Sequence, residues 1–323
     1  MKKLISILAG LLVAQLVLAV ALNMTDRDYG AFEAKERLLG FEKQTIDRLL
    51  IEDGEGSLTL KISADRWVLP EEGDFPAAQK RIDALIEKLA GLEKGWPVAT
   101  TSSASRRFKV ADDKYERRVT LYSGDEVAAR LFVGSSPGFR KVHLRPDDEE
   151  AVFVAEFNTW EVDVQADSWI DKALIKIDEA EIEQLAIGGE LTLQRQQGDL
   201  QLVGLEAQES TNLEAVNKLA GKLGDLQIQS LLGEEEGADY QQHDPDLAVE
   251  VKLKDGRQLN YQFFQVENES HYILKRSDRD RYFEVASYQV DPLKQASREK
   301  LVVVKDPDQD AAPEIKTSQN EIE

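Results

Sequence analysis

Thr45-Ile46-Asp47-Arg48-Leu49-Leu50-Ile51 returns later in the chain as Glu181-Ile182-Glu183-Gln184-Leu185-Ala186-Ile187. The apolar positions Ile46, Leu49 and Ile51 fall on Ile182, Leu185 and Ile187. Moving outward, Leu58-Thr59-Leu60 matches Leu191-Thr192-Leu193, and Trp67-Val68-Leu69 stands against Leu200-Gln201-Leu202. Apolar residues at i and i+2 face one side of a strand, so these runs predict half-buried strands.

A helix pattern follows in each copy. Ile82, Leu85, Leu89 and Leu92 form one apolar stripe, and Val216, Leu219, Leu223 and Leu226 repeat its spacing. Asp74 ahead of Pro76 and Ser210-Thr211-Asn212 are the expected helix starts. Beyond each helix lie Arg118–Tyr122 and Val249–Leu253, ending at Ser123-Gly124-Asp125 and Lys254-Asp255-Gly256. Such turn residues predict a second strand after each, at 128–133 and 258–266. A hairpin then closes each copy: 141–145 with 151–155, and 271–275 with 281–285.

Order and spacing kept over so many elements predict a tandem duplication. The expected fold class is α+β: an N-terminal membrane helix, then two repeats, each an amphipathic helix packed on an antiparallel sheet. The boundaries expected are a membrane anchor at 1–22, a polar juxtamembrane stretch at 23–37 and a first repeat at 38–155. A bridging helix at 156–174, a second repeat at 175–304 and a disordered acidic tail at 305–323 complete the chain. Phe157, Trp160 and Val164 have helical spacing, and Phe157, Trp160 and Trp169 are the candidate inter-repeat interface.

The N-terminus carries the compartment signal. Lys2 and Lys3 precede a run from Leu4 to Leu22 that holds no charge. At ~1.5 Å per residue the run is roughly 28 Å long, close to a bilayer's hydrocarbon thickness. Leu4, Leu11, Leu18 and Leu22 mark the anchor, and the two lysines place its start on the cytoplasmic side. A signal peptide cut after Ala19-Val20-Ala21 is the competing reading; both export the rest.

The chain of 323 residues has 61 Asp+Glu, 40 Lys+Arg, a net charge of -21 and no cysteine. That charge argues against a nucleic-acid partner, which needs clustered cations. Without cysteine there are no disulfides, thiolate metal sites or cysteine nucleophile.

Catalytic motifs are weak. Gly134-Ser135-Ser136-Pro137-Gly138 matches G-x-S-x-G, with Ser136 as the nucleophile. That motif needs a strand, a sharp turn and a helix, whereas Pro137 and the strand-like run 139–144 predict a hairpin loop. His143, His243 and His271 lack the i, i+4 spacing of a zinc helix. The acidic hairpin tips Asp147-Asp148-Glu149-Glu150 and Ser277-Asp278-Arg279-Asp280 read as solvated turns. Asp306-Pro307-Asp308-Gln309-Asp310 lacks the glycine and distal glutamate of a calcium loop, since Ala311 and Thr317 stand there. No phosphate-binding G-x-x-x-x-G-K-[ST] is present. No catalytic, cofactor-binding or metal residue is therefore expected.

The anchor, Ile46-Asp47-Arg48-Leu49-Leu50-Ile51, the strand ending in Trp67-Val68-Leu69, the Gly134 hairpin and Trp169-Ile170-Asp171-Lys172-Ala173-Leu174 together resemble domain-of-unknown-function family 4340. The resemblance runs over residues 1 to 304. It implies a membrane-anchored exported protein, encoded beside an ABC transporter and a gliding-motility-type auxiliary component. It implies no active-site residues. The leading expectation is a non-enzymatic accessory or interaction subunit, single-pass in a bacterial inner membrane with its bulk in the periplasm. Its expected partners are the membrane, through the anchor, and ABC transporter or auxiliary proteins. The alternatives are a ligand-binding ectodomain using the cleft between the repeats and, behind it, a hydrolase.

Overall fold

A computed structural model describes residues 36–233, 244–266 and 268–304, together with residue 15. Apart from residue 15, the anchor at 1–22 lies outside the described residues, as do most of the juxtamembrane stretch, His243 and the acidic tail. Among the described residues, no helix is long and apolar enough to cross a membrane. The chain divides into two compact units, Met1–Ile170 and Asp171–Glu323. Each is mixed α+β, with a large antiparallel sheet and few helices.

In the first unit the elements run β1 (Arg48–Glu52), β2 (Ser57–Ser63), β3 (Arg66–Leu69), β4 (Phe75–Pro76) and α1 (Gln79–Ala90). They continue with α2 (Ser102–Phe108), β5 (Val110–Ala111), β6 (Lys114–Tyr115), β7 (Arg117–Ser123), β8 (Glu126–Val133), β9 (Lys141–Pro146) and β10 (Phe153–Glu156). The sheet order is β10-β9-β8-β7-β1-β2-β3-β4. Leu49 lies opposite Leu60 and Leu121, and Ile51 opposite Leu58 and Val119. All six are buried, so the period-two pattern of each strand points one face inward. Ile82, Leu85 and Leu89 are the buried stripe of α1.

The other face of this sheet is covered as well. Val110, Phe132 and Val152 form a buried cluster against Ala99, Phe108 and Tyr115. Half of these residues, Phe108, Val110 and Tyr115, come from α2, β5 and β6, a segment that the periodicity does not announce. It explains why Leu131, Phe132 and Val133 are all buried in succession on β8.

The second unit runs β11 (Ile182–Ile187), β12 (Leu191–Gln196), β13 (Asp199–Leu202), β14 (Glu209–Thr211), α3 (Leu213–Asp225), β15 (Ser230–Leu231) and β16 (Leu247–Leu253). It ends with β17 (Gln258–Gln265), β18 (His271–Arg276), β19 (Tyr282–Ala286), α4 (Ser287–Lys294), α5 (Arg298–Leu301) and β20 (Val302–Val304). Its large sheet has the order β13-β12-β11-β16-β17-β18-β19-β15, and β14 pairs with β20. Leu185 faces Leu193 and Val251, and Ile187 faces Leu191 and Val249. Along β16, Leu247, Val249, Val251 and Leu253 are buried while Glu250 and Lys252 are exposed. This sheet keeps a polar outer face there. Val216, Leu219 and Leu223 are buried on α3, and Leu226 just beyond it.

Two expectations change in detail. Asn212 does cap α3, its Oδ1 accepting from Ala215 N at 3.2 Å. Asp74 caps nothing: Phe75–Pro76 pairs with β3, and α1 starts only at Gln79, behind Ala78. The bridging segment is not one helix. It holds two short 3-10 turns, Thr159–Val162 and Ala166–Ser168, with Asp163 and Gln165 extended between them.

Gly134 has a packing reason. A Cβ there would lie 2.1 Å from Phe108 O and 2.6 Å from Lys109 O, where β8 meets the end of α2. A Cβ on Gly138 would meet nothing within 4 Å. Gly134→Ala should therefore destabilise the protein by about 2–3 kcal/mol, while Gly138→Ala should stay within about 0.5 kcal/mol of the parent. Urea midpoints of the two variants check this; equal effects would refute it.

Candidate functional site

The G-x-S-x-G stretch is built as a hairpin. Ser136 Oγ donates to the carbonyls of Gly138 and Lys141, each at 2.7 Å, and closes the loop onto β9. No helix follows it; β9 does. The serine that meets a histidine is its neighbour. Ser135 Oγ lies 3.1 Å from His143 Nδ1. That nitrogen also lies 2.6 Å from Ser135 O. A carbonyl only accepts, so Nδ1 carries its proton toward it, and the Ser135 hydroxyl donates to Phe108 O at 3.1 Å. The nitrogen facing the serine, Nδ1, then has no lone pair for its hydroxyl. His143 is buried and stacked on Phe108 at 4.0 Å between ring centroids. Its arrangement holds the β8–β9 corner together.

His271 lies on β18 with its Nδ1 3.5 Å from Glu284 Oε1. Among the described residues, no group of three or more His, Asp or Glu is arranged to hold a metal ion. Two acids of the first hairpin tip are paired. Asp147 pairs with Arg130 at 2.8 Å, and Glu149 with Lys94 at 2.6 Å. Burial works to lower the Lys94 ammonium, but the hydrogen bonds it donates to Glu149 and Glu36, with their charges, outweigh it and raise it.

Two buried arginines are also closed. Arg145 donates to Val110 O at 2.6 Å and to Glu149 O at 3.1 Å, pairs with Asp112, and lies over the Phe132 ring at 4.3 Å. Arg276 holds Asp278 through Nε at 2.6 Å and Nη2 at 3.0 Å. Its Nη1 donates to the Tyr261 hydroxyl, which donates to Ile175 O at 2.9 Å. Burial pushes the Tyr261 phenol up. Tyr272, raised to about 12 by burial and its hydrogen bond to Asp291, ties β18 to α4.

The aromatic residues of the bridging segment give the clearest display. Phe157 and Trp169 are fully buried within the first unit. Lys88 of α1 sits 5.1 Å over the Phe157 ring, and Arg81 4.5 Å over the Trp169 ring. Trp169 Nε1 donates to Asp163 O at 2.8 Å. Burial lowers the Arg81 guanidinium against the pull of Asp163 and Glu161. Lys88 also pairs with Glu161 at 2.6 Å, and Glu161 with Asn158 closes a capping box over the turn. These contacts clamp the segment onto α1.

Trp160 alone of the three turns outward, 65% exposed, while Arg81 holds its carbonyl at 3.2 Å. Phe139, Trp96 and Tyr288 are more exposed still, and Phe139 most of all at 85%. Phe157 N donates to Arg140 O at 3.1 Å, so the turn bearing Phe139 is tied to the segment bearing Trp160. The sequence carried no sign of Phe139, which read as the first residue of a strand; β9 begins only at Lys141.

Fold and surface define a two-unit, sheet-rich α+β protein that presents large aromatics on its first unit. The chain belongs to the family described as Domain of unknown function (DUF4340), whose model matches residues 67–245. That match runs from β3 to just before β16, a narrower span than the resemblance implied. Neither the curated proteins nor the solved structures hold a match to the chain.

The Arg276–Asp278 pair makes a pH prediction. Burial raises the Asp278 carboxyl, but Arg276 outweighs it and holds it below its ordinary value. The unfolded carboxylate titrates near ~3.9. The pair's stabilisation is therefore complete above that value and is lost as pH falls through the lower folded value. Asp278→Asn should have a lower urea midpoint than the parent at neutral pH, and the gap should close on acidification below pH ~4. A gap that stays constant would refute the assignment.

Proposed function

We propose that the protein is a membrane-anchored, extracytoplasmic accessory or interaction protein of an ABC-type transport or cell-envelope system. The observation that carries this reading is that two of the exposed aromatics, Trp160 and Phe139, stand on turns tied to each other and to α1. Exposed large aromatics held in place are the usual anchors of protein contacts, because they bury much area for little lost side-chain freedom. The Ser135–His143 contact, with its protons committed to carbonyls, gives no comparable support to hydrolysis.

The compartment rests on the uncharged run from Leu4 to Leu22 behind Lys2 and Lys3. It makes the protein single-pass in a bacterial inner membrane, with both units on the periplasmic side. We further read the two units as copies of one ancestral unit. Supporting this, β3-β2-β1-β7-β8-β9-β10 and β13-β12-β11-β16-β17-β18-β19 place equivalent strands in the same order.

Three experiments test the proposal. Deleting residues 1–22 should abolish export and membrane retention. A photo-crosslinking residue at position 160, in native membranes, should form an adduct with a transporter or auxiliary subunit, whereas the same group at exposed Val127 should not. Trp160→Ala should reduce recovery of that subunit at least about tenfold without changing the melting temperature. Recovery of the intact protein from membranes with no such subunit would overturn the reading.

A further inference from the structure

A second surface lies on the other unit and stands independently of the aromatic turns. Helices α3, α4 and α5 enclose a groove of about 290 Å³. Leu219, Ala296 and Leu301 give it an apolar floor, and Lys218, Lys222 and Lys300 surround it. Among the described residues, no carboxylate lines it. In a chain with 61 acidic against 40 basic residues, three lysines converging on an apolar groove without an acid run against the composition.

The lysines are also lightly held. Lys222 reaches Asp225, itself largely exposed, at 3.5 Å. Lys300 Nζ donates to Gln295 O at 2.9 Å. Lys218 has no hydrogen bond or ion pair with a described residue. The walls, by contrast, are fixed. Tyr272 OH donates to Asp291 of α4 at 3.0 Å, and Lys294 binds Asp246 and Gln265. Gln289 Oε1 accepts from Gln227 N just past α3.

The geometry points to this groove as a docking site for an acidic segment of a partner protein, one apolar side chain seated on the floor and carboxylates paired with Lys218, Lys222 and Lys300. Charge complementarity selects the partner. A single anionic headgroup would satisfy one end of the groove. Here two cations stand one helical turn apart on α3 and the third stands on the opposite wall. Carboxylates spread along a peptide match that placement, and the small apolar floor supplies the anchor that such a segment needs.

The test uses the full chain in nanodiscs of neutral lipid. The probe is a short dye-labelled peptide of alternating Asp and Ala with one central Leu, followed by fluorescence anisotropy. Lys218→Glu with Lys222→Glu should weaken binding at least about tenfold, since attraction becomes repulsion at both sites. Ala296→Trp, which fills the floor without altering charge, should do the same. So should replacing the peptide's Leu by Ser. Lys80→Glu on α1 should change nothing, and unaltered melting of each variant excludes unfolding. Binding should also fall as salt rises. Equal affinity for the parent and the double variant would overturn the proposal, as would indifference to the peptide's Leu. Binding that emerges only after deletion of residues 305–323 would assign the groove to the chain's own acidic segment instead. Full competition by anionic-lipid nanodiscs would assign it to a membrane surface.

Discussion

Everything in the first unit depends on β1 lying between β2 and β7. Leu49 and Ile51 meet Leu60 and Leu58 on one side, then Leu121 and Val119 on the other. The first pairing is local. The second joins residues some seventy positions apart and welds two meanders into one sheet. Because side chains alternate across a strand, a one-residue slip of β7 would move Leu121 and Val119 to the opposite face and set the buried polar Thr120 against the leucines of β1 and β2. Burial of all these leucines in one register is what fixes the pairing. The second unit uses the same device between β11 and β16, through Leu185 with Val251 and Ile187 with Val249. Loop closure over that distance carries an entropic cost that only the finished apolar layer offsets.

This dependence explains what could be read in the chain and what could not. The strands around Leu49, Leu185 and Val251 alternate, because one face is buried more deeply than the other, whereas on β7 Val119, Thr120 and Leu121 are buried in succession. The helix stripes of α1 and α3 were equally plain, down to Leu92 and Leu226, which are buried just beyond the helix ends. The segment of α2, β5 and β6 was silent for a physical reason. Ser102 to Phe108 is too short and too polar to show a stripe, and Val110 buries through contact with Phe132, which is distant in sequence. The bridging segment misled in the opposite way. Phe157, Trp160 and Val164 share a helical spacing, yet the chain extends at Asp163 and Gln165 to bring Trp169 under Arg81. Spacing cannot distinguish one helix from two turns that bury alternate aromatics.

The site residues show the same limit more sharply. Ser136 was a fair match to a motif, but a motif specifies residue types, and chemistry needs protons in particular places. Only the fold brings Ser135, not Ser136, to His143, and places carbonyls, which can only accept, beside both groups. Trp160 was singled out from sequence together with Phe157 and Trp169. The three could not be separated until the clamp on α1 assigned two of them to the interior and one to solvent.

The charges sort themselves by a related rule. In a chain this acidic, many surface cations meet a carboxylate, although exposed Lys80, Lys141 and Lys252 meet none among the described residues. Arg118 holds Glu52, Arg130 holds Asp147, Lys88 holds Glu161 and Arg276 holds Asp278. Each of these pairs ties one element to another or closes a turn, so each follows from folding alone. The lysines around the groove between α3, α4 and α5 do not. They join no elements through carboxylates, and their stems flank an apolar floor whose walls are already fixed by Tyr272 and Gln289. Mutual repulsion of like charges there is a small cost to the isolated fold. An arrangement that folding does not require, and that composition disfavours, is best accounted for by something acidic that the groove receives.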